Sequence, residues 1–443
     1  MLLRRTNLTL ATGEENRRLS CCNYTEKFRR LRLSRVVIGI REMRGADRIS
    51  GLHDSILTHI LSFLPTKDAV QTRRLSKRWR NVWASVPVLN FVSADFWSDD
   101  SSSSRSEKLE CQDKFVKFID AVLASRQVQQ VDRFRLAWKY QVGNYPHHGH
   151  PVRRWIHYVV EQFPRVLSIY LEPRLDRIDI IPDLIFTCSS LEEIKLQVNY
   201  RVDHSIWLDR LNPMVVTLPH LRKLHLGHFK IEADFMDKIL LGCPILEEVE
   251  LYTCWLNISQ ISCGNLRSLV INGCYHLRVI EVSIPSLQYL KVTVMCSQPA
   301  EFVFKNMSSL VKASICLLDL NDVDVLIFDF GANILAGLLG VTTLDIVLCG
   351  LLAEDMLKHI LWTCPLFENL KFINFESFDG CTTGCIDMVD RLVQHSPALK
   401  EVTVYGCQEE EMYGGKMKRG MKVKQAQQAD EYVGGAMEEG EEM

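Results

Sequence analysis

One spacing governs most of this chain: apolar-x-x-apolar-x-x-apolar-x-apolar, whose closing positions alternate as the residues of a β-strand do. Clear copies are Leu218-Pro-His-Leu-Arg-Lys-Leu-His-Leu226, Cys243-Pro-Ile-Leu-Glu-Glu-Val-Glu-Leu251, Cys263-Gly-Asn-Leu-Arg-Ser-Leu-Val-Ile271 and Ile284-Pro-Ser-Leu-Gln-Tyr-Leu-Lys-Val292. Others begin at Val128, Phe163, Cys188, Met307, Leu338, Cys364 and Ser396. The starts lie about 27 residues apart on average, so the chain has to set many short strands side by side and grow along one axis.

Several copies follow a short helical pattern that stops at Cys-Pro, as in Met236-Asp-Lys-Ile-Leu-Leu-Gly-Cys-Pro244 and Met356-Leu-Lys-His-Ile-Leu-Trp-Thr-Cys-Pro365. Helix then strand, repeated, predicts an α/β solenoid with parallel strands on a concave face and helices outside. The period falls in the leucine-rich-repeat range, and such a solenoid is right-handed. If the apolar residues of each strand point inward, those between them point out onto the concave face. That alternation predicts an outward ladder of Tyr170, Lys195, His225, Glu250, Val270, Lys291, Ser314, Asp345, Lys371 and Thr403, flanked by Tyr252 and Tyr289. Its mixed chemistry suits a protein or peptide target better than a phosphate backbone, so Tyr170, Lys195, His225, Glu250, Tyr252, Tyr289 and Lys291 are the candidate target-binding residues.

Residues 47–91 follow a different pattern. Leu52, Ile56, Leu57, Ile60, Leu61 and Leu64 recur at helical spacing until Pro65 stops the helix. Thr66 is placed to cap a second helix and Ser76 a third, in which Trp79, Val82, Trp83 and Val86 share one face. A unit of about 45 residues cannot bury so many large apolar groups by itself, which points to a partner.

The run Asp47-Arg-Ile-Ser-Gly-Leu-His-Asp-Ser-Ile-Leu-Thr-His-Ile-Leu-Ser-Phe-Leu-Pro-Thr-Lys-Asp-Ala-Val, continuing to Leu75-Ser-Lys-Arg-Trp-Arg-Asn-Val-Trp83, closely resembles the plant F-box. With the repeats behind it, the chain is similar to plant F-box proteins with divergent leucine-rich repeats, some of which end in an FBD-type module. The resemblance implies a three-helix F-box that docks on a Skp-type adaptor and through it on a cullin-RING ligase. Leu52, Ile56, Ile60, Leu61, Leu64, Pro65, Leu75 and Trp79 are the expected adaptor contacts. His53, where the family usually has proline, and the basic Arg73-Arg74 depart from the pattern.

These patterns divide the chain into a disordered basic extension (1–46), the F-box (47–91), a linker with the post-F-box helix (92–127), the solenoid (128–407, with 355–407 as a degenerate FBD-like end) and a disordered tail (408–443). The serine-rich stretch Ser98–Ser106 is expected to be the flexible link, leaving F-box and solenoid as separately folded units. Fifteen cysteines without a secretory signal pattern suggest a reducing compartment, the cytoplasm and/or nucleus. A net charge of -2 gives no general attraction to nucleic acid or membrane.

Phosphate-loop, zinc-helix and nucleophile-elbow motifs are absent from the sequence. Cys188, Cys243, Cys263 and Cys364 open repeats and read as packing residues; Cys381/Cys385 and the histidines of Pro146–Pro151 are weak metal candidates, and no cofactor is expected. The function that follows is a non-catalytic substrate receptor of a Skp-cullin-F-box ubiquitin ligase. The alternatives are a repeat scaffold without ubiquitin transfer and a receptor for a small molecule or metal on the concave face.

Overall fold

The alternation in the repeats becomes a 13-stranded parallel sheet in the computed structural model. Its strands, in chain order, are β1 (Val88–Val92), β2 (Arg133–Lys139), β3 (Val166–Glu172), β4 (Glu193–Val198), β5 (Lys223–Gly227), β6 (Glu248–Tyr252) and β7 (Ser268–Asn272). They continue as β8 (Tyr289–Met295), β9 (Lys312–Leu318), β10 (Thr343–Cys349), β11 (Phe372–Ser377), β12 (Glu401–Tyr405) and β13 (Lys422–Gln425). The structure describes residue 49 and residues 51–96, 104–126, 130–140, 151–172, 180–199, 209–276, 279–295, 302–318, 335–349, 364–377, 383–405 and 422–425. Two units are distinguished, residues 1–53 and residues 54–443. In the first, Leu52 is half-buried and its amide donates to the Ile49 carbonyl at 3.1 Å.

Within the second unit the strands bury alternate residues, as Ile194, Leu196 and Val198 are buried while Glu193, Lys195 and Gln197 are half-exposed. Stacking is in register: Leu136, Ile169, Leu196, Leu226, Leu251 and Ile271 occupy one inward row. Nine of the eleven predicted copies fall in this register; those starting at Phe163 and Cys364 do not. Leu167 and Ile169 are the inward pair of β3, so its repeat begins two residues earlier, where Glu161 and Pro164 disguise the pattern and Phe163 is left 67% exposed. In β11 the inward pair is Ile373 and Phe375, three residues on from the expected frame, and Phe372 faces outward.

Helices cover the inner side of the sheet, among them Arg105–Ala124, which buries Phe115 and Ile119, Pro151–Val160, which buries Val152, Trp155, Ile156 and Val159, Ala233–Gly242, which buries Phe235, Met236 and Ile239, and Thr383–Gln394, which buries Met388 and Leu392. The expected helices are replaced by strands over much of 209–305, which form separate sheets of four and three strands. Length is the reason. Copies at Cys243, Cys263, Ile284 and Met307 are only about 20–23 residues apart, short for a helical return, and segments such as Ile280-Glu-Val-Ser and Phe302-Val-Phe-Lys alternate with the strand period. The apolar stretch 334–353, long enough to suggest a membrane span, contains β10; among the described residues no helix is long and apolar enough to cross a membrane.

The F-box region is joined to this sheet directly. Helices α1 (Asp54–Leu61), α2 (Thr66–Gln71) and α3 (Trp79–Val82) lead into β1, the edge strand of the sheet. Thr66 does not cap α2, whose N-cap is Pro65; its hydroxyl accepts a hydrogen bond from the Asn90 amide of β1 at 2.7 Å. Ser76 likewise caps nothing, since α3 starts after Arg78. Val70 joins the same apolar core as Leu89, Phe91 and Phe134, and Lys67 lies 4.6 Å over the Phe96 ring. F-box and repeats therefore share a core, against the expectation of separately folded units, and the sheet starts at Val88 rather than at 128. Ser104 and Glu107 form a reciprocal capping box at the head of the helix Arg105–Ala124, so the end of the serine-rich stretch is ordered helix.

The amide of Leu218 donates to the Gly242 carbonyl at 2.9 Å, and a Cβ on Gly242 would fall on the Val216 carbonyl. Backbone cannot yield as a side-chain tip can, so Gly242→Ala should lose about 1–3 kcal/mol. Gly264→Ala, which meets open space, should stay within about 0.5 kcal/mol of the unchanged chain. Parallel denaturant titrations would show both.

Candidate functional site

Two surfaces carry the chemistry. On the F-box the apolar period of α1 splits between two faces: Leu57 and Leu61 turn inward, while Ile56 and Ile60 remain exposed. Leu61, at 1% exposure, and Trp79, at 8%, hold the F-box together, which corrects their assignment to the adaptor surface. Leu64 and Pro65 are half-buried, and Leu75 stands 68% exposed. Phe63, absent from the expected contacts, is 76% exposed and packs edge-on against His59 with ring centroids 5.0 Å apart. Its position just past the end of α1 hid it, because a helical period assigns no face to the residues that follow a helix.

The second surface is the outward face of the sheet. Lys195, His225, Glu250, Val270, Lys291, Ser314, Asp345 and Thr403 lie in one row across it, as predicted. Ser168 takes the place expected for Tyr170, which stands two residues along its strand in the row of Tyr252. Asn374 takes the place of Lys371, which precedes β11. Tyr289 lies on the same face at the start of β8. Both displaced residues come from the two repeats whose frames were misread.

Several charges on this face are matched in pairs. Glu250 accepts from Tyr252 Oη at 2.7 Å and lies 2.7 Å from His225 Nδ1. Burial opposes the Glu250 charge, but the hydrogen bonds from His225 and Tyr252 and the charge of Lys195 outweigh it and hold the carboxyl below its ordinary value. Lys195 pairs with Glu193 at 2.6 Å, Lys223 with Glu248 at 2.8 Å, and Lys312 with Asp345 at 2.5 Å. Asn374 adds a 2.6 Å hydrogen bond to Asp345, and Thr293 donates to Asn272 at 2.9 Å.

Burial pushes the Cys243 thiol up to about 12 and that of Cys364 to about 11, so both are protonated at neutral pH and pack as small apolar groups. Among the described residues no cluster of His, Cys, Asp and Glu is arranged to hold a metal. The histidines at 147, 148 and 150 and Cys381 lie outside the described residues, as do the expected extension 1–46 and most of the tail.

Residues 49–91 match the F-box domain model, and residues 152–308 match the model described as the LRR repeats of FBD-associated F-box protein At5g56370. The chain thus carries an F-box domain followed by leucine-rich repeats. Among its Arabidopsis thaliana relatives, F-box/LRR-repeat protein At3g58930 is 28% identical over 390 residues, covering 81% of this chain and 77% of its own length. F-box/LRR-repeat protein At3g58940 is 30% identical over 377 residues, covering 81% of this chain and 55% of its own length. F-box/FBD/LRR-repeat protein At1g78750 is 27% identical over 390 residues, covering 82% and 77%.

A further titrating group stands beyond the end of β5. Burial drives His228 down from 6.5 to about 4, with the Glu172 charge opposing. Between those values the unfolded chain holds the extra proton, so stability should fall as the pH drops from 6.5 towards 4. His228→Asn, which tolerates the φ of 61° at this position, should flatten that decline by about 3 kcal/mol in denaturation series across the window. The loss tied to Glu250 differs in place, since its lowered pKa confines it to pH below 4.5.

Proposed function

We propose that this chain is the substrate-recognition subunit of a Skp-cullin-F-box ubiquitin ligase. The F-box grips a Skp-type adaptor, and through it a cullin-RING ligase, while the outward sheet face holds a target protein. The observation that carries this reading is the exposure of Ile56, Ile60, Phe63 and Leu75 on a domain matched as an F-box. Leaving such side chains in water is unfavourable by roughly 1.5–3 kcal/mol each relative to burial, and an adaptor interface recovers that free energy. The chain itself has no catalytic role here. Ligation needs a target lysine brought close to a thioester on another subunit, and a receptor supplies proximity. A shared core between F-box and repeats favours this role, because a rigid join fixes the distance from adaptor to target.

The same reading assigns target contact to Tyr170, Lys195, His225, Glu250, Tyr252, Tyr289 and Lys291. It places an FBD-like end from about 355, and the protein in the cytoplasm and/or nucleus without nucleic-acid or membrane partners. Because the core is shared, a test has to use surface substitutions. Phe63→Ala combined with Leu75→Ala should weaken adaptor binding by about 2 kcal/mol, roughly 30-fold, with the melting temperature unchanged. Alanine at Lys195, His225, Glu250 and Tyr252 together should leave adaptor affinity intact and stop ubiquitin transfer to the captured target. Wild-type chain formation by the first variant, or failure of the unchanged chain to bring down a cullin, would sink the ligase reading in favour of a scaffold.

A further inference from the structure

The two surfaces treat charge in opposite ways. Across the sheet face, Lys195, Lys223, His225 and Lys312 each have a carboxylate within hydrogen-bonding distance. On the F-box, the stretch from Thr72 to Arg80 carries Arg73, Arg74, Lys77, Arg78 and Arg80, and no acid occurs between Asp68 and Asp95. All five bases are exposed. Among the described residues only Arg78 of these is in an ion pair, its Nη2 lying 2.7 Å from Asp54. The other four bases are therefore held close together with no carboxylate partner among the described residues, in a chain whose net charge is only -2. Self-repulsion of that kind weakens the free fold, and an oppositely charged partner relieves it.

The location of the bases indicates the kind of partner. Asp54 opens α1, so the Arg78–Asp54 pair ties the basic stretch to the helix that exposes Ile56 and Ile60. Leu75 is exposed in the middle of the bases. A basic rim beside aliphatic side chains matches a protein surface with an apolar centre and carboxylates around it. A phosphodiester backbone would leave the aliphatic groups unburied. A membrane-lying helix needs a long continuous apolar face, whereas α1 has 8 residues and turns Leu57 and Leu61 inward.

We propose that Arg73, Arg74, Lys77 and Arg80 form an electrostatic rim that steers an acidic protein surface onto the exposed apolar residues of the F-box. Resting on the adaptor reading, it identifies that partner's contact surface as carboxylate-rich and assigns the rim to the rate of association. Attraction between the surfaces acts over about a Debye length, roughly 8 Å at physiological salt, before the apolar groups meet. Its effect falls mainly on the association rate, and short-range apolar contact sets dissociation.

The test is stopped-flow association of the full chain with a purified Skp-type adaptor at several salt concentrations. The unchanged chain should associate about tenfold more slowly at about 500 mM salt than at about 50 mM. The triple variant Arg73→Glu, Arg74→Glu, Lys77→Glu should lose about tenfold in association rate at low salt, no longer slow as salt rises, and dissociate within about twofold of the unchanged chain. Its melting temperature serves as the control for folding. Association rates that agree at every salt concentration, with the adaptor still bound, would overturn the rim and leave the adaptor reading standing. Failure of the unchanged chain to bind the adaptor at any salt would overturn both. Charge-dependent capture by a DNA duplex or phosphatidylserine vesicles, with adaptor rates untouched by the variant, would overturn the acidic protein as occupant.

Discussion

Each repeat has two or three inward side chains and can hide them only against the repeats on either side. Leu196 of β4, for example, is covered in its row by Ile169 and Leu226. The same strands exchange backbone hydrogen bonds with their neighbours, so packing and hydrogen bonding both propagate along the stack. This requirement explains why the return legs can change from helix to strand between 209 and 305 without interrupting the main sheet. What must be kept is the spacing of the inward rows; the return needs only enough apolar residues to close the core behind them.

A stack of this kind leaves an open edge, and an open edge is a template for pairing with other chains. At the β1 end the F-box helices provide the cover. Thr66 accepts from the Asn90 amide, Val70 enters the core, and Arg126 donates to the Val86 carbonyl at 2.8 Å where the chain leaves the F-box. The cover and the exposed apolar residues of α1 and its neighbourhood thus belong to the same small domain. Core residues such as Val70 affect both halves, and exposed ones such as Phe63 and Leu75 can be changed without disturbing the stack.

Much of this was legible in the sequence because the strand period and the helix period leave different marks. Nine of eleven frames follow directly from apolar spacing, and with them most of the central outward row. The two misreadings have a common cause: at Phe163 and Phe372 a large exposed aromatic near the strand mimicked a buried position, while Pro164 and Glu161 masked the true frame. The join between F-box and sheet was illegible for another reason. It depends on which partner the Thr66 hydroxyl finds, and a Thr after a proline gives the same local signal whether it caps a helix or reaches a distant strand. The return strands were written in period two and could have been found from the short repeat intervals.

The pairing of charges on the sheet face bears on how such a surface discriminates between targets. A face whose acids and bases already satisfy one another is comfortable in water and exerts little general attraction on either sign of protein. A target that covers His225 and Glu250 without replacing their contact with solvent pays desolvation of the pair and gains little in return. One that offers a group to the remaining oxygen of Glu250, or stacks against Tyr252, recovers that loss. Selectivity then comes from the penalty imposed on poor fits as much as from affinity for the good one. The F-box stretch around Arg73 and Arg74 follows the reverse strategy, leaving its charges unmatched among the described residues so that one kind of surface is drawn in quickly.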